Sequence, residues 1–403
     1  MEISNTEISG GRPLPAILFI VLGLNTGGTE SQLYNLVRQL HGRVYLCKIF
    51  ALDARGGLTG DFKKLGCSIY SGGVKMEDFR KRPWKILSAM FALIGLARRL
   101  KPEIVHAFFP MMTFVGSLSA RLAKVHTVII SRRSLATYRK RHPILRIPDR
   151  LANGLSHRVL VNSKAVWNDM VARDRVNASK IVLIYNGVDV EAYDKAKKHR
   201  RETRRILGVH EREKVIIMVA NLIRYKGHSD FLKAVKTVIT HIPRALVLFV
   251  GEDRGIQSEL EQEALSLGIS ERINYLGLRN DIPYLLTASD LSVLSSHEEG
   301  FSNVILESMA AGLPMVATRV GGNEEAVVEG ITGWLVPPRD PTALADKMLD
   351  LLNHPGRARK WGERGRMRVI NSFTIDHMIQ RHLSVYEGLP QPWRNPPGRL
   401  SQT

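Results

Sequence analysis

Cysteine is nearly absent from this sequence: Cys47 and Cys67 are the only two in 403 residues. Two thiols cannot build a disulfide framework or a four-thiolate zinc site, and such sparing use fits a reducing compartment. Long apolar runs are also missing. The longest, Pro13–Leu24 and Ile86–Ala97, reach about a dozen residues against the ~20 needed to cross a bilayer. Pro13–Leu24 has no strong basic leader and no small-residue cleavage site, and it runs straight into a glycine loop. It therefore reads as a buried first strand and not as a signal peptide. Repeats at solenoid periods and low-complexity tracts are absent too. Asn177-Ala178-Ser179 matches a glycosylation pattern, but in a chain expected in the cytoplasm so short a motif is read as chance.

Acidic residues are scarce in one half only. Residues 1–200 hold 33 Lys and Arg against 14 Asp and Glu, while the remainder holds 25 against 24, within a formal charge of +20. Halves this different imply that one domain meets something anionic. Nucleic acid, an acidic membrane surface and a phosphorylated acceptor all fit that description.

The length is too great for one ordinary core, so two domains are expected. Short β-branched runs alternate with helix-length amphipathic stretches. Strands are read at Ala16–Leu22, Val44–Phe50, Glu103–Ala107, Thr127–Ser131, Arg158–Asn162 and Ile181–Ile184. A second series follows at Val215–Ala220, Ala245–Val250, Arg272–Leu276, Leu291–Ser295, Pro314–Thr318 and Gly333–Val336. Helices are read at Thr29–Leu40, Trp84–Leu100, His228–His241 and Gln257–Leu267. The alternation predicts an α/β protein with two doubly wound, Rossmann-like domains built on parallel sheets. The turn cluster Asn186-Gly187-Val188-Asp189 and the polar run Asp194–Arg205 place the boundary. The expected division is a first domain at 1–190, a linker at 191–213, a second domain at 214–375, and a terminal helix with a proline-bearing tail at 376–403.

The motif richest in chemistry runs from His297 to Pro314. Gly300 allows close backbone approach to a ligand, Ser302 or Asn303 can cap the helix that follows, and Gly312 stops it. Free amides at such a helix N-terminus suit a diphosphate. Glu299 and Glu307 bracket this loop eight positions apart, placed to face one cleft. A second cluster, Asn221–Gly227, follows the first strand of the second domain. Arg224 and Lys226 there offer fixed positive charge where a leaving phosphate develops its own. Gly27-Gly28 ends the first strand but lacks the G-x-G-x-x-G order of a dinucleotide fingerprint.

These segments together resemble the Glu-x7-Glu family 4 (group 1) glycosyltransferases, retaining enzymes of GT-B fold whose two Rossmann-like domains face across a cleft. The resemblance also takes in Gly27-Gly28-Thr29-Glu30, Glu103–Pro110, Gly277–Asp281, Gly321–Glu325 and Gly333–Val336. It implies a metal-independent hexosyltransferase that needs no cofactor beyond its nucleotide-sugar, UDP- or GDP-linked, and that works in envelope polysaccharide or lipid-linked saccharide synthesis. Glu299 would orient the sugar, with Arg224 and Lys226 taking the diphosphate charge. Glu307 would hold the ribose, and Gly300, Phe301, Ser302, Asn303, Val304, Gly28 and Arg279 would complete the donor site. Gly27, His106 and Arg132 would lie on the sugar or acceptor side. Two departures stand out. Asn221 occupies a place where many relatives carry Arg, with Arg224 the substitute, and Arg132 stands where many carry a His.

The expected partners are the nucleotide-sugar, a saccharide or lipid-linked acceptor, and an anionic membrane surface reached through Arg132–Arg150, with no nucleic acid. That stretch holds Arg132, Arg133, Arg139, Lys140, Arg141, Arg146 and Arg150, joined by Arg80, Lys81, Arg82 and Lys85. A peripheral position on the inner face of the membrane follows, with Ile86–Ala97 read as a core-packing helix. The rival readings are a nicotinamide oxidoreductase, a sugar phosphorylase and a polyanion-binding protein without catalysis.

Overall fold

The computed structural model describes residues 13–75, 84–137, 139, 143–210 and 212–389. The first seven strands are β1 (Ala16–Gly23), β2 (Leu46–Asp53), β3 (Ser68–Ser71), β4 (Ile104–Phe108), β5 (Thr127–Arg132), β6 (Arg158–Val161) and β7 (Ile181–Leu183). They form one parallel sheet in the order β3-β2-β1-β4-β5-β6-β7. The next six are β8 (Lys214–Val219), β9 (Ala245–Val250), β10 (Ile273–Tyr275), β11 (Leu291–Leu294), β12 (Met315–Thr318) and β13 (Trp334–Val336). These give a second parallel sheet, β10-β9-β8-β11-β12-β13.

Both sheets are buried on two faces, which is why their strands read as continuous apolar runs. Helices such as His228–His241 cover them with Phe231, Leu232, Val235 and Val238 at helical spacing. Strand order reverses between β1 and β4 and again between β8 and β11. Open parallel sheets bind ligands beyond the carboxyl ends of strands at such points.

The chain crosses between the two sheets twice, side by side. Val188 pairs with Thr374 in an isolated parallel bridge, with Val188 N–H donating to Phe373 O (3.0 Å) and Ile375 N–H to Val188 O (3.2 Å). After the second crossing the helix Ile375–Glu387 returns to the first sheet. Its Ile375, Met378, Ile379, Val385 and Tyr386 join the core that holds Ile17, Phe19 and Cys47. The polar segment after Asp189 folds as two helices, Val190–Lys197 and Arg200–Ile206. Arg200 and Arg204 fasten the second of these to Asp290.

The domains also touch directly. Glu325, in the short helix Asn323–Ala326, accepts from the backbone N–H groups of Lys164 (2.8 Å) and Ala165 (2.9 Å) and from the Tyr185 hydroxyl (2.9 Å). It thereby places a carboxylate at the N-terminus of the helix Lys164–Asp174, where the helix dipole favours negative charge.

Candidate active site

The carboxyl ends of the two sheets enclose a cleft of about 880 Å³. Its floor on one side is the turn after β8. Gly227 has φ +73°, and a Cβ there would meet Ser295 O at 2.0 Å, so only glycine lets this turn lie against the strand-end of β11. The turn aims Lys226 inward, where its Nζ stands 2.6 Å from Glu299 Oε1. The Ser296 hydroxyl donates to that same oxygen at 2.7 Å. Burial works against the Lys226 charge, but the neighbouring Glu299 carboxylate, Tyr225 and the Glu299 hydrogen bond outweigh it and hold the ammonium above its usual pKa.

The helix Asn303–Ala310 begins at the same cleft. Ser302 occupies its N-cap without a side-chain cap hydrogen bond, and Ser302, Asn303 and Val304 line the cleft with Gly300 and Phe301. The Asn303 side chain crosses to the other domain. Its Oδ1 accepts from Asn186 Nδ2 (2.5 Å) and Gln32 Nε2 (3.3 Å), and its Nδ2 donates to Gly28 O (3.0 Å). Glu307 lines the cleft one turn further on, and burial pushes its carboxyl up to about 7. Gly27, Gly28 and Arg279 also line the cleft, the last forked onto Asp281 through Nε (2.8 Å) and Nη2 (2.6 Å).

Three residues expected in the site stand elsewhere. Arg224 shares the tight turn with Lys226, but two residues earlier the chain faces solvent, and Arg224 pairs with Glu259 at 2.7 Å, its side chain 75% exposed. His106 is fully buried in β4, between the Tyr386 hydroxyl and Ser131 Oγ, each 2.8 Å away. Burial holds it well below its usual pKa, with His382 and Arg133 adding to the effect, so it is a neutral structural group. Arg132 turns away from the cleft to Asp149 (2.6 Å), which Arg139 also grips (2.8 Å). Strand alternation explains the last case: successive side chains leave opposite faces, and it is Arg133 that lines the cleft.

Other cleft residues escaped the sequence reading. Asn186 and Tyr225 fall within the segments Asn186–Asp189 and Asn221–Gly227 but were not read as site residues, and Arg254 and Asn162 carried no motif. Parity at the end of β5 was the available signal for Arg133. Among the described residues no cluster of three or more His, Cys, Asp or Glu could hold a metal ion.

Residues 26–192 match the family described as Glycosyltransferase Family 4, and residues 199–368 match Glycosyl transferases group 1. The chain belongs to the group 1 glycosyltransferases. It is 32% identical over 206 residues to N-acetyl-alpha-D-glucosaminyl L-malate synthase of Bacillus anthracis, covering 51% of this chain and 53% of that one. The alignment thus spans about half of that relative. Against UDP-Gal:alpha-D-GlcNAc-diphosphoundecaprenol alpha-1,3-galactosyltransferase of Escherichia coli it is 25% identical over 316 residues, 75% of this chain and 79% of that one. The crystal structure of Anabaena Alr3699/HepE in complex with UDP-glucose superposes with a TM-score of 0.82 at 22% identity, covering 93% of this chain and all of the other. The fold of this transferase-family chain is GT-B.

Proposed function

We propose that this chain transfers a hexosyl group from a UDP- or GDP-linked sugar to an acceptor hydroxyl with retention of configuration. The observation that carries the reading is that the Lys226–Glu299 pair and a helix N-terminus that Ser302 leaves uncapped line one cleft. An arriving diphosphate competes with Glu299 for Lys226 and takes the free amides of Ser302–Val304. Glu299 is then released to accept from sugar hydroxyls, and Glu307 from the ribose. Arg254, beyond β9, lines the cleft and supplies the second cation that Arg224 does not. As the bond from anomeric carbon to phosphate oxygen breaks, the acceptor oxygen bonds on the same face. The departing phosphate oxygen, on that face, takes the acceptor proton. Residues 1–190 would hold the acceptor and 214–375 the donor. The Bacillus anthracis relative is named for malate and the Escherichia coli relative for a diphosphoundecaprenol-linked sugar. A lipid-linked envelope saccharide is the acceptor class we favour.

The membrane contact we favour differs from the arginine run expected from the sequence. Arg132 and Arg139 are spent on Asp149 and Asp174, and Arg80, Lys81, Arg82, Lys140 and Arg141 lie outside the described residues. The helix Trp84–Leu100 does pack inward through Ala89, Leu93 and Ala97, as a core helix should, but its outer stripe leaves Trp84 62%, Leu87 55% and Phe91 68% exposed. Beyond the intervening helix Pro110–Leu122, Ile144 and Ile147 are 82% and 70% exposed, next to the exposed Arg146 and Arg150. Residues 79–148 contain a single acid, Glu103. An apolar stripe in a field with one acid fits an anionic bilayer. Among the described residues no helix is long and apolar enough to cross a membrane.

Heating the protein with saturating UDP, GDP or NAD tests the transferase reading. A ligand at a hundred times its Kd stabilises by ~2.7 kcal/mol, so UDP or GDP alone should raise the melting point, and a response to NAD alone would refute the reading. Retention is checked by the anomeric configuration of the product. Co-sedimentation with phosphatidylglycerol vesicles, lost in W84S/F91S, checks the bilayer contact; undiminished binding by that variant would refute it.

A further inference from the structure

The cleft contains four cations among its described lining residues, and three of them pair with acids. Lys226 is paired with Glu299, Arg279 with Asp281, and Arg254 with Glu252 at 2.6 Å. Arg133 differs. Its guanidinium donates from Nη2 to the neutral Asn186 Oδ1 at 2.6 Å, which among the described residues leaves most of its five N–H groups for whatever enters the cleft.

The location of this guanidinium is fixed from two sides. Asn186 passes the contact on to Phe301 O (3.3 Å) and Asn303 Oδ1 (2.5 Å), so Arg133 is lashed to the loop that carries Glu299. The Arg133 carbonyl lies so close to that loop that a Cβ on Gly300 would sit 2.1 Å from it. If Glu299 meets the sugar, as proposed above, Arg133 stands at the sugar end of the cleft. The hydroxyl-bearing Ser134 and Thr137 line the cleft beside it. Burial pulls the guanidinium down to about 10, with Glu30 opposing, so it is charged at neutral pH. Glu30, the carboxyl whose charge acts on it, is itself lifted to about 7 by burial despite its own backbone hydrogen bond and the charges of Arg133 and Arg254. A half-buried guanidinium whose neighbouring carboxyl resists ionisation is a poor arrangement for an uncharged ligand, because desolvated charge is costly unless matched.

We propose that Arg133 forms an anion subsite that receives a carboxylate or phosphate carried by the transferred sugar or by the acceptor. The assignment of the sugar end rests on the donor reading above. Planar, forked recognition of such groups is what a guanidinium does best, and a hydrogen-bonded charge pair of this kind discriminates against neutral analogues by leaving the arginine unmatched when they bind.

Titration calorimetry separates the two sources. UDP-glucose and UDP-glucuronate, with GDP-mannose and GDP-mannuronate as the second base, are compared on wild type and Arg133→Gln. If the sugar carries the anion, wild type should prefer the acid by tenfold or more, and the variant should lose that preference. If the acceptor carries it, protein saturated with nucleotide should bind inorganic phosphate, and Arg133→Gln should not. Glu30→Gln removes the facing carboxyl and should strengthen whichever anion binds, an effect opposite to that of a damaged fold. No acid preference and no Arg133-dependent phosphate binding would overturn the proposal. If neither nucleotide binds while phosphate still binds through Arg133, the donor reading fails and the subsite stands.

Discussion

Replacing Glu325 by Gln should loosen the closed cleft without disturbing either sheet. The carboxylate ends two backbone N–H groups of the helix Lys164–Asp174 and the Tyr185 hydroxyl, at 2.8, 2.9 and 2.9 Å. All three donors belong to the first domain and the acid to the second, so the contact exists only when the domains meet. Hydrogen bonds to a charged group contribute about 1.5–3 kcal/mol each, but in the open state water replaces most of that, and the site is only partly buried. A net preference of about 2 kcal/mol for closure is the reasonable figure, close to the upper range for a carboxylate at a helix N-terminus. Gln keeps the shape but turns an N–H₂ toward one of the backbone donors. The closed-to-open ratio should then fall roughly 30-fold. Small-angle scattering of the unliganded variant should show a larger radius of gyration, and transfer at low donor concentration should slow by up to the same factor. Glu324→Gln, one residue away and exposed, is the control and should change neither. Scattering curves and rates of Glu325→Gln that overlay those of wild type would refute the latch.

Glu307→Gln should lose nucleotide affinity yet melt higher. Burial raises the Glu307 carboxyl from 4.5 to about 7, so its contribution to stability is present below pH 4.5 and is lost as pH rises through 7. At pH 8 the ionised group costs about 3 kcal/mol, which Gln removes; melting curves of the unliganded proteins at pH 4 and pH 8 should therefore diverge only at the higher pH. Arg132→Ala leaves Asp149, fully buried, one partner short, and breaking such a pair costs about 3–5 kcal/mol; a thermal midpoint within a degree of wild type would contradict this. Arg224→Ala removes an exposed pair with Glu259 and should leave kcat/KM within about twofold, whereas a tenfold loss would return Arg224 to the site.

The regular elements were legible because apolar periodicity is a local property. The helix His228–His241 is found at the bounds its pattern predicts, and most strands begin or end within two residues of expectation. The strand Ser68–Ser71 was missed because it lies at the sheet edge with no buried residue to mark it. Side-chain direction was the harder quantity. Arg132 and Arg133 differ by one residue, yet one meets Asp149 and the other the cleft; choosing between them needs the last residue of β5, a boundary that sequence places poorly. Arg224 and Lys226 repeat the difficulty within a single turn. The contacts of Asn303 with Gly28, Gln32 and Asn186 join segments more than a hundred residues apart and leave no trace in spacing.

The return of the helix Ile375–Glu387 to the first sheet bears on how the chain is made. Tyr386 and Val385 complete a core whose other members, Ile17, Leu33 and Tyr45, leave the ribosome hundreds of residues earlier. Until that helix emerges, the nascent first domain carries an open apolar groove while the whole second domain is being synthesised. Domains otherwise tend to fold in the order of synthesis, but here the first begun is the last finished. A chain stopped before Ile375 should need chaperones throughout its life, and the same helix supplied separately as a peptide would be expected to restore its solubility.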